Sequence, residues 1–259
     1  MPKLAANLST LFKEQPFLER FAAAARAGFR AVEYQYPYDF APGDVAAAAR
    51  DAGMEVVLHN MPRGDPQRGE HGTACLPGRE ARFGEDLERA LDYADAAGCR
   101  RIHCMAGVVP QGAERASCHA TYLSNLKRAA GRLRARGMDV LIEPLSARTV
   151  AGCFLAGSAQ AAAVIEELGA QNVRIQYDLF HMQIMEGNLS ETIARLLPRI
   201  GHMQIADVPG RAEPGTGELN FPFLLSHIDR LGYSGWIGCE YNPQGDTVEG
   251  LLKWAKPYL

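Results

Sequence analysis

Short apolar runs alternate with longer segments of helical spacing along the whole chain. Lys3 to Leu8 reads as the first strand. Phe17, Leu18, Phe21 and Ala25 then share one face of a helix from Pro16 to Ala27, and Gly28 stops it. Ala31 to Tyr34 is the second strand. Asp44 is placed to cap an Ala-rich helix from Val45 to Ala52, and Glu55 to Asn60 is the third strand. A polar loop from Pro62 to Gly78 leads into a helix from Arg79 to Ala97. Strand four is Arg101 to Met105, followed by a helix from Arg115 to Arg136. Strand five, Asp139 to Glu143, precedes a helix from Ser158 to Leu168. Strand six ends at Asp178, and Ser190 caps a short helix to Leu197. Strand seven, Gly201 to Ile205, carries Gln204, and a helix follows from Phe221 to Leu231. Strand eight, Trp236 to Glu240, precedes a last helix from Val248 to Trp254.

Strict alternation of strand and helix implies a parallel sheet. Eight such units in 259 residues, with no break in composition, predict a single-domain α/β protein: a (β/α)8 TIM barrel spanning residues 1–259. An open doubly wound sheet ranks lower, because no Gly-rich dinucleotide fingerprint follows the first strand.

Four strands carry an oxygen-bearing side chain at or near their ends: Glu143, Asp178, Gln204 and Glu240. In a parallel barrel the C-terminal strand ends share one face, and sites are built there. A carboxylate closing an apolar run has to be paired, protonated or bound to a cation. One such Glu alone has a structural ion pair as its lesser alternative, Asp178 alone could be a helix cap, and Gln204 alone is most often an ordinary interior polar group. Together they make the oxygen-rich set that a hard divalent cation prefers. His59, at the end of strand three, and His181, just past Asp178, are placed to hydrogen-bond a substrate oxygen. His103 and His202 lie earlier in their strands and read as core groups. Gly215-Thr216-Gly217 before a helix offers a weak phosphate-binding signal that a plain turn explains as well.

Composition narrows the partners. The net charge is −3, from 27 basic and 30 acidic residues without a basic block, so no nucleic-acid footprint is expected. No run approaches the roughly 18 apolar residues of a membrane helix, and no signal peptide core precedes Asn7. The six cysteines show no CxxC spacing and read as reduced, buried thiols of a cytoplasmic protein. Nothing in the sequence bars a homo-oligomer.

The runs Ala6-Asn7-Leu8-Ser9, Leu58-His59-Asn60, Ile142-Glu143-Pro144, Gln176-Tyr177-Asp178 with His181-Met182-Gln183, His202 to Asp207, Arg211 to Glu218 and Trp236 to Tyr241 resemble hydroxypyruvate isomerase, a family of the xylose isomerase-like barrels. The resemblance covers almost the whole chain. It implies a divalent metal held by Glu143, Asp178, Gln204 and Glu240, proton transfer by Glu143 and Glu240, and substrate oxygens held by His181 and Arg211. An Arg fork matches a carboxylate, so Arg211 is the expected reader of the acid end. Related ketose 3-epimerases typically carry His where Gln204 stands. The same motifs resemble 2-oxo-tetronate isomerases equally. The implied substrate is a small hydroxy or oxo acid. The oxygen ligands suit Mg²⁺ or Mn²⁺, and no organic cofactor is expected. An abasic-site endonuclease of similar barrel type would need more strand-end His and a basic face. A non-catalytic sugar-binding barrel would not need two buried carboxylates beside a metal.

Overall fold

Eight parallel strands pair in chain order, and the eighth returns to the first to close a barrel. The computed structural model describes every residue from Met1 to Leu259. The strands are β1 (Lys3–Asn7), β2 (Ala31–Tyr34), β3 (Glu55–Asn60), β4 (Arg101–His103), β5 (Asp139–Ile142), β6 (Val173–Asp178), β7 (Ile200–Ile205) and β8 (Trp236–Cys239). Around them lie α1 (Arg20–Arg26), α2 (Pro42–Asp51), α3 (Glu80–Ala97), α4 (Arg115–Arg134), α5 (Ser158–Leu168), α6 (Leu179–Met185), α7 (Leu189–Leu196), α8 (Phe221–Arg230) and α9 (Thr247–Trp254). The expected barrel is therefore the observed one. Glu143 and Glu240 sit one residue beyond the last paired residues of β5 and β8.

Outward-facing residues of the strands, including Val32, Tyr34, Ile142, Ile175, Tyr177 and Ile205, join the helices in one large apolar layer. A smaller cluster of Ala5, Ala31, Val57, Leu58 and Leu141 fills the inside of the barrel below the polar level. Helix α3 ends at Gly98 in the left-handed conformation (φ 66°), where a side chain would be strained. All six cysteines are buried and unpaired. No helix is long and apolar enough to cross a membrane.

Three local expectations are corrected. Helix α2 starts at Pro42 with Ala41 at its N-cap, so Asp44 lies inside its first turn. Asn188, in the left-handed region with no side-chain cap bond, precedes α7 in place of a Ser190 cap. Helix α6, directly after β6, has no counterpart in the expected pattern. Asp178 starts it, accepting the Phe180 N–H at 2.9 Å through Oδ1.

Two bulges set which residues face inward. Between β2 and β3 the register runs Val32↔Val56 and then Glu33↔Leu58, leaving Val57 as the extra residue. Between β6 and β7 it runs Ile175↔Ile200 and then Gln176↔His202, leaving Gly201 extra. A slip of one residue moves every later side chain to the opposite face. The second bulge places Gln204 level with Asp178. A Cβ at Gly201 would lie 2.7 Å from Leu141 and 2.9 Å from Arg174, so that bulge has room only for glycine.

Candidate active site

Glu143, Asp178, Gln204 and Glu240 meet at the C-terminal end of the barrel, all of them buried. Asp178 divides its work. Oδ1 caps α6, while Oδ2 faces the site, 3.5 Å from the Arg211 guanidinium and 3.6 Å from His181 Nε2. Glu240 accepts from Arg211 at 2.7 Å, from Gln35 Nε2 at 2.9 Å and from Gln204 Nε2. Glu143 lies 3.5 Å from His103 Nδ1, which is 3.3 Å from Asn60 Oδ1. Burial raises the Glu143 carboxyl well above the usual carboxylate range, and the charges of Glu240 and Asp178 add to that rise while Arg211 opposes it. Burial also raises Glu240, against the pull of Arg211. Two buried carboxyls beside one another are candidates to take up and return a proton.

His181 has a defined hydrogen-bonding state. The Ser146 backbone N–H donates to its Nδ1 at 3.1 Å. That nitrogen is therefore the acceptor, and the neutral ring carries its proton on Nε2, which points at Asp178 Oδ2. Burial lowers its pKa to about 4, with Asp178 opposing that shift. Glu143, Asp178 and His181 each place one ligand-capable atom within 4.8 Å of the others. We read His181 as a donor to a bound oxygen rather than as a ligand, because its single lone pair already accepts from Ser146.

Gln204 donates from Nε2 to Glu33 Oε1 at 2.7 Å and to Glu240, while its Oε1 accepts from Gln176 at 2.6 Å. Its oxygen is turned from the carboxylates, so service as a ligand requires rotation of the amide. Arg211, with φ 52°, lies over the Phe180 ring at 5.1 Å and already donates to Glu240 and Asp178.

His59 is not at the site. Its ring stacks on Tyr34 at 6.1 Å and meets Tyr38 edge-on at 6.5 Å, in the layer between barrel and helices. The β2–β3 bulge turns it outward and brings Asn60 inward instead. His103 is buried and bonded to Asn60, as its reading as a core group expects, and it also lies 3.5 Å from Glu143. The phosphate reading of Gly215 and Gly217 is also corrected. Both backbone N–H groups donate to Asp207 Oδ2, at 2.8 and 2.9 Å, so that turn closes on its own carboxylate.

Glu33 is the main residue the sequence reading missed. It is buried inside the barrel and accepts from Asn7 Nδ2 at 2.9 Å, from Gln204 Nε2 at 2.7 Å and from His202 Nε2 at 2.5 Å. The signal was present, since Glu33 lies inside the apolar run of β2. Gln35 and Tyr36, just after β2, also reach the site. Gln35 donates to Glu240, and the Tyr36 hydroxyl is raised to about 12 by burial, with Asn60 and then Arg63 opposing and Glu240 and Glu143 adding.

Three buried acids, Glu143, Asp178 and Glu240, thus act on one guanidinium, and Glu33 adds a fourth buried acid one hydrogen bond away through Gln204. That excess of buried negative charge fits a divalent cation bound among oxygen donors.

Comparison with known proteins agrees with this architecture. The family model described as xylose isomerase-like TIM barrel matches residues 21–258. The 2-oxo-tetronate isomerase of Cupriavidus necator is 49% identical over 259 residues, covering 100% of this chain and 99% of that protein. The hydroxypyruvate isomerase of Escherichia coli is 44% identical over 258 residues, covering 100% of both. The crystal structure described as AP endonuclease, family 2, from Brucella melitensis has a TM-score of 0.97 at 45% identity, covering 100% of this chain and 99% of that one. The chain belongs to the xylose isomerase-like TIM barrel family, and its full-length relatives from Cupriavidus necator and Escherichia coli are named as isomerases.

Proposed function

We propose that this chain isomerises a small hydroxy-oxo acid, interconverting hydroxypyruvate and 2-hydroxy-3-oxopropanoate by proton transfer through an enediolate. The observation that carries this reading is the pair of buried glutamates, Glu143 and Glu240, which follow β5 and β8 at the C-terminal end of the barrel, with Asp178 and His181 within 4.8 Å of Glu143. The two acids differ by one proton moved from C3 to C2 and by an exchange of carbonyl and hydroxyl. One Glu takes the C3 proton, and the other, or the same one once protonated, delivers a proton to C2. The enediolate between them carries charge on its oxygens. Neutral His181 donates to one of those oxygens, and Arg211 supplies positive charge beside Glu240 and Asp178.

Glu143, Asp178 and Glu240, with Gln204 after rotation of its amide, would hold a divalent cation such as Mg²⁺ or Mn²⁺. Such an ion supplies Lewis-acid stabilisation of developing negative charge when bound. The names of the relatives support both a three-carbon and a four-carbon oxo acid. A substrate panel of both acids, with chelated and metal-reloaded protein and products read by NMR, tests the reading. Isomerisation of neither acid under any metal condition would end it.

A nuclease reading draws on the name carried by the Brucella melitensis structure. The site does not favour it. His59 faces the helices and His202 bonds to Glu33, leaving His103 and His181 at the cluster, and the net charge is −3.

A further inference from the structure

We infer that Arg63, in the loop after β3, is the residue that binds the carboxylate of the substrate; the inference rests on the proposed oxo-acid reading. An acid substrate needs a cation that the protein has not already neutralised. Arg211 is engaged by Glu240 at 2.7 Å and Asp178 at 3.5 Å. Arg68 and Arg79, in and just after the same loop, pair with Glu70 at 3.7 and 3.0 Å. Arg63 has no carboxylate within 4.0 Å and is half-buried.

Its position is also specific. The Arg63 guanidinium lies over the Tyr36 ring, 5.7 Å from its centroid. That ring is held by its hydroxyl, which donates to Met105 Sδ at 3.1 Å. Gln35, the residue before Tyr36, donates to Glu240 at 2.9 Å, and the charges of Arg63 and of Glu143 and Glu240 act on the Tyr36 hydroxyl in opposite senses. Tyr36 therefore brings a guanidinium that has no carboxylate partner close to the proton-transfer pair. On the proposed reading, a three-carbon acid with its reacting carbons at the glutamates would present its carboxylate to Arg63.

The loop holding Arg63 is braced for the task. Its carbonyl accepts the Gly72 N–H at 2.7 Å, and Cys75 N–H donates to the Ala106 carbonyl at 2.8 Å. Gly72, with φ 101°, packs so tightly on the segment after β4 that a Cβ there would lie 2.3 Å from the Met105 carbonyl. Stacking on Tyr36 fixes the plane of the fork at little cost in side-chain freedom, as a planar guanidinium allows and an ammonium does not.

The test uses D-glycerate, which keeps the carboxylate and carbon skeleton of the proposed substrate but has no carbonyl to isomerise. Its binding to wild type, Arg63→Gln and Arg63→Lys is measured by calorimetry, beside steady-state kinetics on hydroxypyruvate. Arg63→Gln is expected to weaken glycerate at least tenfold and to raise KM by a similar factor, with kcat changed less than about threefold. Arg63→Lys is expected to recover only part of the loss. Unchanged glycerate affinity in Arg63→Gln, or no glycerate binding by wild type, overturns the inference. Arg63-dependent glycerate binding without isomerisation of either oxo acid would instead retain the carboxylate site and remove the proposed reaction.

Discussion

The Glu33 carboxylate occupies the space that Gly238 leaves by having no side chain: a Cβ at position 238 would lie 2.3 Å from both carboxylate oxygens. Gly238 pairs with Gln204 across β7 and β8, so the empty position lets Glu33 reach Gln204, which in turn donates to Glu240. Gly238→Ala should displace Glu33 and disturb that chain. We expect a stability loss of about 1–3 kcal/mol, the usual cost of overpacking, together with at least a tenfold fall in kcat. Denaturant unfolding and steady-state kinetics check both. Normal turnover would show that Glu33 does not position Gln204.

The positions of Glu143, Asp178, Gln204 and Glu240 were legible because each closes or nearly closes an apolar strand, and parallel closure gathers such ends on one face. The placement of His59 was not. Alternation counted from Val56 puts His59 inward, and only the extra residue at Val57 reverses it. A bulge leaves no mark in a run of Val, Val and Leu. Helix α6 is foreshadowed only by the reading of Asp178 as a cap, an alternative to its site role; the structure shows both roles in one residue. Glu33 was visible by the same rule that singled out Glu143, but it lies mid-strand and not at a strand end.

His59 supplies a prediction about pH. Burial lowers its pKa to about 4 from 6.5, and its Nε2 has no partner. The folded value lies below the unfolded one, so the unfolded chain binds the extra proton. The contribution of neutral His59 to stability is complete above pH 6.5 and is lost as pH falls toward 4. A shift of that size corresponds to roughly 3 kcal/mol. His59→Phe should therefore flatten the acid arm of the stability curve while leaving kcat nearly unchanged. Equal acid sensitivity in wild type and variant, by urea unfolding from pH 7 to 4.5, would contradict this placement.

Cation binding should be visible without turnover. A ligand that binds only the folded chain raises its stability by mass action. Mg²⁺ or Mn²⁺ added to chelated protein should raise Tm by several degrees, and Asp178→Asn should abolish most of the rise. Asn retains an oxygen for the Phe180 N–H, so helix α6 should remain capped. A Tm rise of full size in that variant would remove Asp178 from the cation site.

His181→Asn should lower kcat on the oxo acid by on the order of tenfold to a hundredfold, as expected for loss of one donor to developing oxyanion charge. The Ser146 N–H would lose its acceptor, so Ser146→Ala, which keeps that backbone donor, serves as the control and should stay near wild-type turnover. If His181→Asn turns over normally, Nε2–H makes no contact with the reacting oxygen.

The most direct test is the fate of the carbon-bound proton. Hydroxypyruvate is incubated in D2O with wild type, Glu143→Gln and Glu240→Gln, each loaded with Mg²⁺ or Mn²⁺ and confirmed folded, and followed by proton NMR. Wild type should form 2-hydroxy-3-oxopropanoate, and each variant should be slower by about a hundredfold or more. Each Gln keeps an oxygen at its position and loses the proton acceptor. Near-normal isomerisation by either variant would show that its glutamate does not carry the proton, and would contradict the two-carboxyl account.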